Sequence, residues 1–488
     1  MFTKTENGAL SLVSTGSACL NLFFKALRTT SEQDLYEWIC TSWKEESLDT
    51  LKTLFYKRDC RGGSGERRLF LWGMKWLLVN GHKDTFYKNL AHIPEFGYWK
   101  DLCTLTEMCV EQPFYAELSD HIANLFATIL KEDRMKMLQK EPISLSAKWA
   151  PSEGGHFDTK TGLSKKIAEK LCNGNMATYR KMYLTPMRSA IDVTERYMCN
   201  HGWGNISYSK VPSICMMKHK KAFTKHDDNR FKKWLEDVKA GVKKINASQL
   251  FPHEIVAQYL QHGACVDDVC EEQWKVLVQN VRELGKMQNC LVLSDVSGSM
   301  VRFNEKNAPI NVSIALGLLI SEVLDEPYKN LIVTFHEKPT FHKVVNGNLF
   351  NRVKDVKNMP WGGCTNFQAV FNLILTKAIQ HHLPQVKMPK WLIVCSDMQF
   401  DSTTQTKTNW QVVKDKFRAC GYETPKIIFW NLDGSTFDFP IPSDENNAVM
   451  LSGFSPSALK IILDGELPDP FSAYQKAIHS ERYDCIQL

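Results

Sequence analysis

The apolar residues in the first part of the chain recur at helical spacing. From about residue 15 to residue 285, β-branched runs and alternating polar and apolar positions are scarce. Residues 31–34 are typical of a helix start, and Leu35, Trp38 and Ile39 then fall on one helical face. Segments rich in Gly and Pro join these helices. The pattern predicts antiparallel helix pairs, and because no strict repeat period is present it favours a HEAT-like solenoid with diverged units.

The pattern changes after residue 285. Short apolar runs, the predicted strands, alternate with helical segments, which is typical of a parallel sheet with helices on both faces. The predicted strands are residues 290–294, 331–335, 391–396, 426–430 and 448–451, and the predicted helices include residues 311–324, 367–379 and 410–420. We therefore expect a multidomain protein: an all-α, HEAT-like domain over residues 1–285, then a doubly wound, Rossmann-like α/β domain over residues 286–488.

Composition limits the class of protein. The 488 residues are too many for one core, and the hydrophobic fraction of 43% and charged fraction of 23% are globular values. The fifteen cysteines form no CxxC pair, which argues against a disulfide framework or a thiolate zinc site and predicts a reducing compartment. No window of about 18 residues has the apolar character of a membrane span, and the N-terminus does not resemble a signal peptide. We expect a soluble, cytoplasmic protein without a membrane partner.

The positive charge is concentrated in one region. The net charge is +6, yet residues 281–488 hold 21 basic and 21 acidic residues, whereas residues 161–250 hold 18 basic and 7 acidic residues. An excess of that size indicates an anionic partner. A solvated helical surface remains the alternative.

Oxygen-bearing side chains gather where two predicted strands end. Asp295, Ser297 and Ser299 follow the apolar run 290–294, and Asp397 ends the run 391–396. Thr365 closes a glycine loop that opens the predicted helix 367–379. Carboxylates and hydroxyls from three loops at one sheet edge are suitable ligands for Mg²⁺ or Mn²⁺. The sequence predicts a divalent metal site formed by these five residues.

The order and spacing of these residues resemble a von Willebrand factor A domain with its metal-ion-dependent adhesion site (MIDAS). The resemblance implies that Ser297, Ser299 and Thr365 supply hydroxyl ligands and that Asp295 and Asp397 are the aspartates, often acting through water. One departure is that residues 396–399, Ser-Asp-Met-Gln, replace the more usual Thr-Asp-Gly. A phosphatase function of Asp295 is excluded because Ser297 stands where a second aspartate would be needed.

The segment 58–67, Arg-Asp-Cys-Arg-Gly-Gly-Ser-Gly-Glu-Arg, is a second distinctive motif. It is not a Walker loop, because no Lys-Ser/Thr follows the last glycine, and its Cys-to-Arg spacing does not match a cysteine phosphatase. Two interpretations remain. The glycines can form a tight interhelical turn in which Asp59 and Glu66 pair with neighbouring arginines, or the segment can contact phosphate.

The same motif resembles the start of the helical domain of the TROVE family, the Ro ribonucleoprotein type, in which HEAT-like helices are closed by a von Willebrand A domain. A group of uncharacterised proteins from plants, fungi and large DNA viruses shares this two-part layout and is more similar still. The similar segments are residues 144–153, 211–213, 250–255, 396–400 and 452–455.

The TROVE resemblance implies binding of small structured RNA. The candidate RNA-binding residues are Arg58, Arg61, Lys148, Arg180, Lys181, Arg188, Lys218, Lys220 and Lys221. Aromatic residues lie between these cations along the chain, as single-strand binding requires. These rings can also fill the core of the helical region, and we expect most of them to do so.

Two hypotheses follow for function. The first is a non-enzymatic RNA-binding scaffold whose metal site docks a protein partner that supplies Asp or Glu. The alternative is a protein–protein interaction module that uses the concave helical surface and the metal, without RNA. A metal-dependent phosphodiesterase is a weaker third possibility, because the sequence has no Ser/His/Asp arrangement or carboxylate pair with assignable catalytic roles.

Overall fold

The computed structural model describes residues 1–285, 289–301, 308–335, 338–360, 366–401, 407–436, 438–463 and 469–488. The first part of the chain is mainly helical. Its helices are α1 (Ala18–Lys25), α2 (Glu32–Glu45), α3 (Ser47–Arg58), α4 (Arg67–Val79), α5 (Lys83–Asn89), α6 (Ile93–Phe96), α7 (Trp99–Met108), α8 (Tyr115–Leu138), α9 (Ser146–Trp149), α10 (His156–Thr161), α11 (Leu163–Cys172), α12 (Met176–Thr178), α13 (Thr185–Ala190), α14 (Thr194–Cys199), α15 (Ser213–Lys239), α16 (Pro252–Tyr259) and α17 (Asp268–Leu284). The predicted helix start is confirmed, because the Ser31 side chain caps α2 by accepting a hydrogen bond from the Asp34 N–H.

The second part alternates strands and helices. The strands, including a short N-terminal pair, are β1 (Phe2–Lys4), β2 (Leu10–Leu12), β3 (Cys290–Asp295), β4 (Leu331–Phe335), β5 (Phe341–Lys343), β6 (Trp391–Ser396), β7 (Lys426–Asn431) and β8 (Ala448–Ser452). The helices are α18 (Pro309–Val323), α19 (Leu349–Lys357), α20 (Phe367–Gln380), α21 (Asn409–Ala419), α22 (Leu459–Leu463) and α23 (Pro470–Ile478). A helical region followed by an α/β region is confirmed.

Six strands form one sheet in the order β5-β4-β3-β6-β7-β8. β3 is parallel to both neighbours, with Val292 opposite Ile332 on β4 and Ile393 on β6. The expectation of a parallel sheet needs one correction, since β5 pairs antiparallel with β4 at the edge. β5 follows β4 through a short connection, and a short connection can return a strand only in the antiparallel direction.

The chain reverses its direction of travel across the sheet at β3. β4 lies on one side of β3 and β6 on the other, so the step from β3 to β4 and the step from β6 to β7 run in opposite directions across the sheet. In doubly wound sheets, ligands bind beyond the carboxyl ends of the strands at this switch point. Asp295, the last residue of β3, and Asp397, the first residue after β6, therefore stand at the two sides of this crevice.

The chain divides into two compact units. The sheet unit comprises residues 1–66 and 208–481, and the helical unit comprises residues 67–207 and 482–488. The predicted boundary after residue 285 therefore lies inside the sheet unit. No helix in the described part of the chain is both long and apolar enough to cross a membrane.

Within the sheet unit, the N-terminal segment packs on the carboxyl end of the sheet. The hydroxyl of Ser452, at the end of β8, donates a hydrogen bond to the Phe23 carbonyl of α1 at 2.9 Å. The amide of Asn431, at the end of β7, donates to the Phe24 carbonyl at 3.4 Å. The N–H of Leu12 on β2 donates to the Phe439 carbonyl at 2.9 Å. The N-terminal segment thus covers the carboxyl ends of β7 and β8.

Candidate metal centre at the carboxyl edge of the sheet

Asp295 is a buried carboxylate at the end of β3, with 0% of its surface exposed. Its Oδ1 accepts a hydrogen bond from the Ser297 N–H at 2.9 Å, and its Oδ2 accepts one from the Ser396 hydroxyl at 2.5 Å. Burial, followed by the charge of Asp397, raises the pKa of Asp295 to about 7. Hydrogen bonds from its neighbours therefore orient a carboxylate whose charged form is disfavoured by burial.

Asp397 is the second buried carboxylate, 2% exposed, and follows β6. Its Oδ1 accepts a hydrogen bond from the Gln399 N–H at 3.1 Å. Burial raises the pKa of Asp397, and the charges of Asp433 and Glu6 raise it further, while a hydrogen bond from Ser299 lowers it. Since the charge of Asp397 raises the pKa of Asp295 and both acids are buried, a cation bound between them would stabilise their charged forms.

Two hydroxyls complete the described part of the site. The Oγ atoms of Ser297 and Ser299 lie 3.1 Å apart, and Ser297 is buried whereas Ser299 is exposed. Ser299 also reaches Asp397. Of the five predicted ligands, four thus lie at one site, and Thr365 falls outside the described residues. Asn366, next in the chain, caps α20 by accepting a hydrogen bond from the Ala369 N–H at 3.0 Å.

The donor set fits a hard divalent cation. Carboxylate and hydroxyl oxygens are its preferred ligands, and the burial of two acids supplies the negative charge that such an ion requires. Ser299 is the exposed member, so the site opens to solvent on that side. A cation held here would keep coordination positions for water or for an incoming oxygen ligand.

A buried lysine lies beside the acids. The Lys25 side chain, 1% exposed, donates a hydrogen bond to the Thr436 hydroxyl at 2.9 Å. Burial lowers the pKa of Lys25 to about 8, although the charges of Asp438, Asp433 and Asp397 act in the opposite direction. Lys25 is therefore an internal cation that partly compensates the acidic edge of the sheet.

Three charged residues near this site were not predicted from the sequence: Lys25, Asp433 and Asp438. Asp433 could have been predicted, because it is a carboxylate at or just after the end of an apolar strand, as Asp295 and Asp397 are. Asp438 is held through Gln399, whose Nε2 donates to Asp438 Oδ1 at 2.9 Å. Lys25 has no local signal, because it reaches the site from a helix 408 positions before Asp433.

The glycine-rich segment 58–67 is a packed turn in the sheet unit. A Cβ atom on Gly63 would lie 2.0 Å from the Tyr56 carbonyl oxygen. Gly65 has a φ of 72°, and a Cβ atom there would lie 2.6 Å from the Phe251 ring. These glycines are therefore required by close packing. The predicted local pairing of Glu66 is corrected, since Glu66 forms an ion pair with Arg28 at 3.1 Å. Arg67, the first residue of the helical unit, pairs with Asp101 of the same unit at 2.6 Å.

The candidate RNA-binding residues divide between the two units. In the sheet unit, Arg58 is only 1% exposed and Lys220 forms an ion pair with Asp267 at 2.5 Å. Arg61, Lys218 and Lys221 are exposed. Arg58 is therefore not accessible to an anionic partner, because a buried guanidinium cannot reach phosphate.

In the helical unit, Arg188 has a structural role. Its guanidinium donates to the carbonyls of Ala147 and Ala150, both at 2.8 Å, and to the Ser152 hydroxyl at 2.9 Å. Lys148 lies 3.3 Å from Glu195. Arg180 and Lys181 are exposed and belong to a π-helix, residues Tyr179–Leu184. Arg188 therefore fixes the segment around Lys148.

Most of the rings near these cations belong to the core, as expected. Tyr179, Tyr208, Phe223 and Phe231 are buried. The Tyr208 ring packs against those of Phe223 and Phe231 at centroid distances of 5.3 and 4.9 Å. These rings are not available for stacking on bases.

The helical unit contains a cleft of about 420 Å³ beside the π-helix. Its lining combines two arginines with polar and apolar groups: Ser152, Glu153, Met176, Tyr179, Arg180, Leu184, Thr185 and Arg188. Two of the candidate RNA-binding residues, Arg180 and Arg188, are thus brought to one concave surface.

Two family models together match nearly the whole chain. The family model described as domain of unknown function DUF2828 matches residues 5–114 and 104–287, and the model described as domain of unknown function DUF7788 matches residues 289–483. An uncharacterised protein, L728, of Acanthamoeba polyphaga mimivirus is 33% identical over 498 residues, covering 96% of this chain and 86% of that protein. The crystal structure of the Deinococcus radiodurans Ro (RSR) protein aligns over 92% of both chains at 14% identity with a TM-score of 0.33. A TM-score of that size does not establish a shared fold.

Proposed function

We propose that this chain, which belongs to the DUF2828 family and carries a DUF7788 domain after it, is a non-enzymatic scaffold that docks a ligand through a divalent cation. The observation that carries the proposal is the convergence of two buried carboxylates, Asp295 and Asp397, on the hydroxyls of Ser297 and Ser299. Mg²⁺ or Mn²⁺ is the proposed ion. When bound, it would supply a Lewis-acidic position for an oxygen ligand, such as an Asp or Glu of a protein partner.

We also assign residues 286–488 to a domain similar to the von Willebrand factor A domain. Numbered from β3, the six strands take the order 3-2-1-4-5-6, which supports a doubly wound fold with the site at its switch point. Met398 stands where the resemblance expects glycine, and its φ of 67° lies in the left-handed region that glycine adopts most easily. The departure in residue type is therefore compatible with a glycine-like loop conformation.

The metal proposal is tested by calorimetric titration of the full-length protein with MnCl₂ and MgCl₂. We expect one site per chain and a loss of affinity of at least about tenfold in Asp295→Asn, because a charged ligand is removed. Ser299→Ala should weaken binding as well, and its exposed position makes misfolding a poor explanation.

Asp415→Asn is the matched control, since Asp415 is an exposed acid on α21 that pairs with Lys407. Its affinity for Mn²⁺ should equal that of the unmodified protein. Absence of Mn²⁺ binding by the unmodified protein, or equal binding by all variants, would refute the metal proposal.

A second function, RNA binding, is favoured by the cleft in the helical unit. Arg180 and Arg188 line it, and the region 161–250 carries the charge excess. We propose that phosphates of a structured RNA contact Arg180 and Lys181 on the exposed side of the π-helix. Arg188 would contribute indirectly, by holding residues 147–152 in place.

Electrophoretic mobility shifts with a hairpin RNA carrying a single-stranded end test this second function. In the double variant Arg180→Ala/Lys181→Ala, we expect an affinity about tenfold lower. The slope of log affinity against log salt concentration should become shallower by about two, because two phosphate contacts are lost. The control Lys387→Ala/Lys390→Ala removes two exposed charges from the sheet unit and should bind normally. If the unmodified protein binds no RNA at moderate salt, the protein–protein interaction module is favoured, and its partner should be released by EDTA.

A further inference from the structure

The N-terminal hairpin packs against the loop that carries Asp397. In the turn between β1 and β2, the Thr5 hydroxyl donates to the Phe400 carbonyl at 2.7 Å, and the Glu6 N–H donates to Gln399 Oε1 at 2.6 Å. The Asn7 amide donates to the Gln399 carbonyl at 2.7 Å. Three consecutive residues of the turn are thus bonded to two consecutive residues of the site loop.

The hairpin is also anchored on its second strand. The Ser11 hydroxyl donates to Asp438 Oδ2 at 2.7 Å, while Gln399 Nε2 donates to Asp438 Oδ1 at 2.9 Å. Leu12 forms a bridge with Phe439. Gln399 therefore links the turn, the site loop and Asp438. Holding a turn in place this way costs conformational entropy, which so many polar bonds offset.

Glu6 lies in this turn with an exposed side chain, and its backbone N–H is bonded to the side chain of Gln399, two residues after Asp397. It is near enough for its charge to act on Asp397. Among the described residues, the Glu6 carboxylate forms no hydrogen bond or ion pair, and only its backbone N–H is engaged. A third acid held beside two buried carboxylates is unfavourable unless a cation lies between them.

We propose that Glu6 is an additional ligand of the metal site, contributed by the chain's own N-terminal hairpin. This inference rests on the proposed metal function. Hard divalent cations accept carboxylates directly or through water, and Glu6 is exposed to solvent, as is Ser299 of the proposed ligand set. The hairpin would then occupy in cis the position that an acidic partner would need, and such a partner must displace Glu6.

The inference is tested by Glu6→Gln in the full-length protein, with Mn²⁺ as the probe. The substitution removes the charge but keeps the backbone N–H that anchors the turn. We expect an Mn²⁺ affinity about tenfold lower, because affinity follows the number of charged ligands. Water-proton relaxation by bound Mn²⁺ should increase, because water takes the vacated position.

The outcomes separate the two proposals, with Asp415→Asn again as the control. If Mn²⁺ binds the unmodified protein and Asp295→Asn weakens it, but Glu6→Gln changes neither affinity nor relaxation, the metal proposal stands and the role of Glu6 is refuted. If the unmodified protein binds no Mn²⁺, both are refuted. A loss of affinity in Glu6→Gln with increased relaxation supports Glu6 as a ligand.

Discussion

Lys57 is a second buried cation, and it lies where α3 meets β8. Its side chain is 1% exposed, its Nζ donates to the Ser452 hydroxyl at 2.8 Å, and it lies 5.1 Å from the Phe23 ring centroid. Burial lowers the pKa of Lys57 to about 7, although the charge of Glu66 acts in the opposite direction. A lysine in this environment opposes folding whenever it must be protonated in the native state.

Lys57→Met should stabilise the protein in a pH-dependent way. Because the folded pKa of about 7 lies below the usual lysine pKa of 10.5, the cost of the buried charge is fully present below about pH 7 and disappears as pH approaches about 10.5. At pH 6.5 we expect a gain of ~1–4 kcal/mol in the free energy of unfolding, as when buried ions are replaced by apolar residues. The gain should be small at pH 9.5. Ser452 stays satisfied in the variant, because its hydroxyl also donates to the Phe23 carbonyl.

Thermal or urea denaturation at both pH values measures this gain. The control is Lys44→Met, since Lys44 is exposed on α2. It should change stability little and equally at both pH values. A Lys57→Met gain that is identical at pH 6.5 and 9.5 would mean that the pKa of Lys57 is not lowered.

At the scale of elements, the strands of the large sheet could be predicted because each is a continuous apolar run. Strands buried on both faces need no alternation, and β4 and β6 begin and end where the runs 331–335 and 391–396 do. β5 and the hairpin strands β1 and β2 were missed. Each has only three residues with mixed burial, and such strands are defined by pairing partners rather than by a local pattern.

The residues of the candidate site also divide into those that could be predicted from the sequence and those that could not. Asp295, Ser297, Ser299 and Asp397 could be predicted because each stands next to the end of a recognisable strand. Glu6 and Lys25 could not be, since they reach the site from segments that lie hundreds of residues earlier in the chain. Net charge likewise indicated a basic region but could not reveal that Arg188 is occupied by backbone carbonyls.

At the scale of the whole molecule, the sheet unit is built from both ends of the chain. Leu20, Phe23 and Phe24 of α1 are buried within it, and Lys25 lies among its acids. The family models instead divide the chain between residues 287 and 289. A segment matched by the first model is thus part of the compact unit that contains the site of the second, and we predict that the second region depends on this segment for its stability.

This dependence predicts the behaviour of fragments. Residues 208–481 expressed alone should lack a cooperative thermal transition and bind a hydrophobic dye. Co-expression with residues 1–66 should restore the transition, because each Phe returned to the core contributes about 1.5–3 kcal/mol. A 1–66 segment carrying Phe23→Asp is the matched control and should fail to restore folding, since it would place a charge in a position that is 1% exposed. If residues 208–481 unfold cooperatively without residues 1–66, the N-terminal segment covers the sheet without stabilising it, and Lys25 and Glu6 would be accessory to a site that folds by itself.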